Sequence, residues 1–180
     1  MAINNLVAES LSELTKFCQV IHLTGKDKGN NVILEPKAIE SHGLSLEQRD
    51  PIGHFVPSGM TNYCAYEFLD ADKMAEALKL ADIVVTRAGL SFLTELSYLG
   101  KPSIIIPMPD SHQETNAEYF KNKKAAIVVE QENLTPESFT QMIKDLLADE
   151  KMKAGLSENI KQAMKPGANQ AIVKVIKEII

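Results

Sequence analysis

Residues 83–106 read IVVTRAGLSFLTELSYLGKPSIII. Two unbroken apolar runs, Ile83-Val84-Val85 and Ile104-Ile105-Ile106, flank a segment that fits a helix over 90–99. Unbroken rather than alternating runs are the pattern of strands covered on both faces, and a helix between two such strands is the crossover of a parallel sheet. The link from the first strand into the helix is Thr86-Arg87-Ala88-Gly89, which carries more than a turn and a cap need. Ligands of open parallel sheets bind beyond the carboxyl ends of the strands, where helix amino termini offer free N–H groups. Arg87, Ala88, Gly89, Leu90 and Ser91 occupy such a place. Gly89 permits close approach to the backbone, and Ser91 can cap the helix or donate to a phosphate. Glu95 follows Ser91 by one helical turn, along the same line. A carboxylate there can accept hydrogen bonds from two vicinal hydroxyls, as a ribose grip does. The plainer reading of the same residues is a capping Ser91 beside a solvated Glu95.

The next loop extends the first. Pro107-Met108-Pro109-Asp110-Ser111-His112-Gln113-Glu114-Thr115-Asn116-Ala117 ends the second strand and opens a helix over 113–123. Gln113 and Asn116 share a face at its amino terminus, and their amides can reach sugar hydroxyls. Further out, residues 3–15 place Ile3, Leu6, Val7, Leu11 and Leu14 on one helical face, and residues 18–23 and 63–69 read as strands. Asp70 caps a helix with the stripe Met74, Ala77, Leu78 and Ala81, and residues 126–129 form another strand. Thr135-Pro136 marks a helix start, followed by terminal helices. Val32-Ile33-Leu34 is a short apolar run, and residues 36–57 read mostly as loop, punctuated by Gly43, Pro51, Gly53 and Pro57. The fold class is α/β, a Rossmann-like parallel sheet with helices on both faces, in one domain over 1–180.

Composition narrows the function. The chain has 180 residues and a formal net charge of −5, with no long basic run, which argues against nucleic acid or an anionic membrane as a partner. Cys18 and Cys64 read as buried free thiols of a reduced cytoplasm. The amino terminus lacks the regions of a signal peptide, and no apolar run approaches the roughly 20 residues that span a bilayer. His22 and His54 lack ligand spacing, Asp70 and Asp72 suit a helix start, and no metal or other cofactor is expected.

The motifs RAGxSxxxE at 87–95, LGKPxIxIPxP at 99–109 and HQxxNA at 112–117 together resemble the donor-binding half of the MurG family. These are the GT-B-type UDP-N-acetylglucosamine transferases of glycosyltransferase family 28, which act on a lipid-linked acceptor in peptidoglycan synthesis. The resemblance also takes in Ile3-Asn4, the run Ile21 to Lys26, and Phe68-Leu69-Asp70 with Met74. It implies that Glu95 binds ribose, that Gln113 and Asn116 face the GlcNAc and diphosphate, and that Phe68 lies beside the uracil. Gly89, Leu90 and Ser91 match the turn that meets the nucleotide and phosphates, and Arg87 belongs with them. Phe92 stands where the family has Thr, which removes one hydroxyl. His112 reads as a helix cap, and Thr24-Gly25-Lys26 as a polar turn, with Lys26 able to assist the leaving diphosphate. The family's GGSxGA turn and its strand would precede Ala2, and its acceptor-binding domain with the general base would precede that. The resemblance therefore implies a fragment of a two-domain hexosyltransferase, with no catalytic residue of its own and inactive alone, that binds UDP-GlcNAc. It meets its lipid acceptor through the other domain, at the inner face of the cell membrane. An unpaired sheet would favour self-association. Two alternatives remain open: a UDP-GlcNAc 2-epimerase, which would show a DSGG-type turn and paired glutamates, and a non-catalytic UDP-sugar-binding subunit that needs a partner chain.

Overall fold

The computed structural model describes residues 3–25, 62–164 and 167–179. The run at 32–34, the 36–57 region, Lys26 and His54 lie outside them. The described chain divides into two compact units, residues 1–81 with 131–149 and residues 82–130 with 150–180.

In the first unit, α1 (Ile3–Leu14) buries Leu6, Val7, Ser10 and Leu14, while Ile3 and Leu11 are half-buried. The apolar line expected of this helix is therefore there, with a serine inside it. The Ser10 hydroxyl donates to the Pro136 carbonyl at 3.3 Å, which pins α1 to the start of α5 (Pro136–Ala148). Thr135 caps α5 as expected, in a reciprocal capping box with Ser138, and Pro136 opens its first turn. Strands β1 (Val20–Leu23) and β2 (Tyr63–Tyr66) pair in parallel, Val20 opposite Tyr63 and Leu23 opposite Tyr66. They are shorter than the apolar runs around them, because Cys18 still bonds back to the Leu14 carbonyl and Asp70 turns the chain into a helix. In α2 (Ala71–Leu80), the Asp70 side chain accepts from the Lys73 N–H at 2.9 Å, the expected cap. Cys18, just before β1, and Cys64, within β2, are half-buried rather than buried.

The second unit holds the stretch around Arg87. Strands β3 (Val84–Thr86), β4 (Ser103–Ile105) and β5 (Ile127–Val128) form a parallel sheet in the order β3-β4-β5. Ser103, Ile104, Ile105 and Ile106 are all fully buried, so both faces of β4 are covered, as its unbroken apolar run requires. The helices are α3 (Leu90–Leu99), α4 (Gln113–Asn122), α6 (Glu150–Ala163) and α7 (Ala168–Ile179). Helix α3 ends in Gly100, at φ 66°, whose N–H bonds back to α3. A side chain at Gly100 would meet the backbone strain of that φ and run into Lys161 of α6, so glycine is needed there twice over. Helix α3 buries Leu93, Leu96 and Ser97 and leaves Ser91, Thr94, Glu95 and Tyr98 exposed.

Candidate functional site

Beyond the carboxyl ends of β3 and β4, two loops are tied together by side chains at the start of α4. The Gln113 Oε1 accepts from two backbone donors at once, the Ala88 N–H at 3.2 Å and the Met108 N–H at 3.1 Å. Asn116 completes the hold, its Nδ2 donating to the Ala88 carbonyl at 2.9 Å. Both ends of the Ala88 residue are therefore clamped by the polar face that the spacing of Gln113 and Asn116 suggested. Ala88 itself is fully buried. Among the described residues, the Gln113 Nε2 and the Asn116 Oδ1 have no protein partner.

Arg87 is not aimed outward. Its Nη1 donates to the Ile106 carbonyl at 3.2 Å and the Pro107 carbonyl at 2.9 Å, which draws the end of β4 toward the end of β3. Burial lowers the pKa of the guanidinium, but such a group stays charged. The charge is held half-buried at the rim of the two loops.

Helix α3 starts without a side-chain cap. Its N-cap is Gly89, and Ser91 lies within the first turn, not at the cap, so the capping reading of Ser91 fails. The chain leaves Thr86 and enters the helix two residues sooner than a cap at Ser91 requires. The first-turn N–H groups of α3 are left to water or to an anion. Gly89 has φ −71° and ψ 122°, a conformation open to any residue, and a Cβ built there meets nothing within 4 Å. The protein itself therefore has no need of glycine at this position, whereas a ligand lying against the backbone would. Leu90, Ser91 and Glu95 are exposed, and among the described residues neither the Ser91 hydroxyl nor the Glu95 carboxylate has a protein partner.

Helix α4 corrects a second expectation. His112 holds the N-cap position, but its side chain makes no capping bond. Its neighbours do that work: the Ser111 Oγ accepts from the Gln113 N–H at 3.2 Å, and the Glu114 Oε1 accepts from the Asp110 N–H at 3.2 Å. Asp110 has φ 54°, left-handed backbone that a short acidic side chain tolerates. In the other unit, Phe68 follows β2 and is 65% exposed. Among the described residues no group of His, Cys, Asp and Glu could hold a metal ion, and no helix is long and apolar enough to cross a membrane.

A contrast of Gly89→Ala with the parent chain follows from this geometry. We expect its melting temperature to fall only slightly, as for a change from Gly to Ala at an N-cap, roughly 1 kcal/mol or less. Nucleotide-sugar affinity should fall at least tenfold, because the added methyl occupies the space before the α3 N–H groups. Thermal melts beside calorimetric titration read both; undiminished affinity would show that no ligand approaches Gly89.

A transferase of Desulforamulus reducens, named as UDP-N-acetylglucosamine–N-acetylmuramyl-(pentapeptide) pyrophosphoryl-undecaprenol N-acetylglucosamine transferase, is 32% identical over 165 residues. That match takes in 90% of this chain and 40% of the relative. A transferase of the same name from Rickettsia massiliae is 38% identical over 119 residues, 64% of this chain and 31% of that protein. The chain thus spans well under half the length of the curated relatives it matches. Among solved structures, the crystal structure of Acinetobacter baumannii MurG superposes with a TM-score of 0.72 at 21% identity, over 98% of this chain and 45% of that one. The glycosyltransferase VinC, solved with dTDP, gives 0.59 at 19% identity, over 87% of this chain and 33% of that one. The fold is that of the GT-B glycosyltransferases. The profile of the glycosyltransferase family 28 C-terminal domain matches residues 1–175, and the chain belongs to that family.

Proposed function

We propose that residues 1–180 bind the donor UDP-GlcNAc for a hexosyltransferase that passes GlcNAc to a lipid-linked, pyrophosphoryl-undecaprenol muramyl-pentapeptide acceptor. The observation that carries the reading is the clamp on Ala88. Gln113 and Asn116 hold the β3 and β4 loops rigid, and each still presents one amide atom that the protein does not use. A sugar hydroxyl needs such a donor and acceptor pair.

The other parts take matching roles. Glu95 accepts from the ribose hydroxyls, and Ser91 with the first-turn N–H groups of α3 meets phosphate oxygens. Leu90, 52% exposed, gives apolar surface to the nucleotide. Transfer to an acceptor hydroxyl needs a general base, and stabilisation of the departing diphosphate. Residues of this chain serve the second need, through N–H groups and amides fixed before the reaction. The base belongs to the acceptor-binding half of the relatives, and no residue of this chain is assigned a catalytic role. The intact transferase would work at the inner, cytoplasmic face of the membrane, where the lipid acceptor is held.

Calorimetric titration of the chain with UDP-GlcNAc, and with GDP-mannose as control, tests the proposal. Binding of the first alone is the expected result. Equal affinity for both, or for neither, would remove the donor-site reading.

A further inference from the structure

The peptide unit between Pro107 and Met108, just beyond β4, is held at both of its polar atoms from two different elements. Its carbonyl oxygen accepts from the Arg87 Nη1 at 2.9 Å, and its N–H donates to the Gln113 Oε1 at 3.1 Å. The peptide unit between Arg87 and Ala88 is held in the same way. Its carbonyl accepts from the Thr86 hydroxyl at 3.0 Å, and its N–H donates to the same Gln113 oxygen at 3.2 Å. Both units therefore converge on Gln113 Oε1, which takes its direction from the pair. The Arg87 Nη1 also donates to the Ile106 carbonyl at 3.2 Å, so the guanidinium is itself fixed on the end of β4. On the far side, the Met108 carbonyl accepts from the Ser111 hydroxyl at 2.7 Å, which fixes the next peptide as well.

We infer that Arg87 is a positioning residue for the donor's sugar: through the Pro107–Met108 peptide it sets the direction of the Gln113 amide. The inference rests on the donor-site reading of Gln113, and it gives Arg87 no contact with the ligand. A cationic donor on a carbonyl polarises the whole peptide, which makes its N–H a stronger donor, so the bond to Gln113 Oε1 tightens with it. A side-chain amide is planar. Once two N–H groups fix its oxygen, its nitrogen has one place left, and the Gln113 Nε2 is the atom without a protein partner among the described residues. Misplacing such a group by about 1 Å is costly to binding. Arg87 also satisfies the carbonyls of the buried Ile106 and Pro107, and stability alone would account for that task. Stability does not account for the choice of peptide, which is the one whose N–H Gln113 uses.

UDP and UDP-GlcNAc separate positioning from mere stability, because the sugar is what distinguishes them. A general loosening of the fold acts on both alike. The lost charge of Arg87 weakens UDP at least as much, since free UDP carries the greater negative charge. The ratio of the two affinities therefore reports the sugar. Calorimetric titration of the parent, Arg87→Met, Gln113→Glu and the double variant with each ligand gives that ratio. Arg87→Met should lower affinity for UDP-GlcNAc relative to UDP about fivefold, the scale of one neutral hydrogen bond. In the Gln113→Glu background the same substitution should leave the ratio within about twofold, because the amide it would misdirect is gone. The Met108 N–H resonance should move upfield in Arg87→Met, as its hydrogen bond weakens. Arg87→Gln, neutral and with a shorter reach, should match Arg87→Met and decides the matter if that variant does not fold. An unchanged ratio in both variants, an equal fall with and without Gln113, or an unmoved Met108 resonance would overturn the inference. A Gln113→Glu ratio equal to the parent's would remove Gln113 from the sugar, and the inference with it. A parent chain that binds neither ligand would take down the donor-site reading itself.

Discussion

Gln113→Ala should cost the chain stability and its donor together, whereas Gln113→Glu should cost it the donor alone. The alanine variant removes the acceptor of two backbone N–H groups, those of Ala88 and Met108, in a half-buried setting. Leaving such donors unpaired is worth about 1–3 kcal/mol each where water cannot reach them, so a loss of about 2 kcal/mol is expected. For a chain of 180 residues that lowers the melting temperature by several degrees. A glutamate at 113 keeps an oxygen in the same place, and a charged acceptor binds those N–H groups at least as well. What it removes is the Nε2 donor, and it sets a negative charge facing a diphosphate. UDP-GlcNAc affinity should then fall at least tenfold with the melting temperature held. A Gln113→Glu chain that binds like the parent would show that Gln113 serves only to join the two loops. Asn116→Asp offers the reverse contrast, because it keeps the outward Oδ1 acceptor and sets a carboxylate oxygen against the Ala88 carbonyl in place of the Nδ2 donor, so stability should fall.

Much of this arrangement was legible in the sequence, and the reasons differ from residue to residue. The β4 run Ile104-Ile105-Ile106 announced a strand covered on both faces, and its complete burial follows from that chemistry. Asp70, Thr135 and Pro136 act within three residues of themselves, so local sequence suffices to place them. The spacing of Gln113 and Asn116 likewise gave a shared face. What the spacing could not give was the partner of that face, since Ala88 lies 25 and 28 residues away. Arg87 sits in the strand-to-helix turn, and its guanidinium bridges the carbonyls of Ile106 and Pro107, which only the register of β3 against β4 brings within reach. The capping alternative for Ser91 fails because α3 begins at Leu90 with Gly89 as its N-cap, and His112 holds the N-cap of α4 without a capping bond from its side chain. Beyond its place in the run Ile21 to Lys26, His22 carried no signal of its partners. Those partners, Asn4 and Tyr63, are 18 and 41 residues distant, and a lone histidine in an apolar strand looks the same whether or not it organises its surroundings.

Glu95→Ala should leave the fold untouched and weaken UDP-GlcNAc by about 1–3 kcal/mol, the scale of charge-assisted hydrogen bonds lost at a binding site. The first half follows from the position. Glu95 is exposed in the middle of α3, on the opposite side from the buried Leu93 and Leu96, and among the described residues no cation or N–H holds its carboxylate. Alanine is also a better helix former than glutamate, so the melting temperature should hold or rise slightly. An exposed, unpaired carboxylate one turn from an uncapped helix start lacks a structural task, and that isolation is what makes the variant informative. The second half is specific to the ribose. A carboxylate that accepts from both vicinal hydroxyls should give the parent chain a preference for UDP over 2′-deoxy-UDP, which offers only one. Glu95→Ala should abolish that preference, so that the two nucleotides bind alike. Glu95→Gln should retain part of it, because a neutral amide oxygen still accepts, though with roughly half the strength. Titration of the parent and both variants with the two nucleotides completes the cycle. A preference that survives in Glu95→Ala would take the ribose away from Glu95 and assign it to another side chain, whatever the loss in overall affinity.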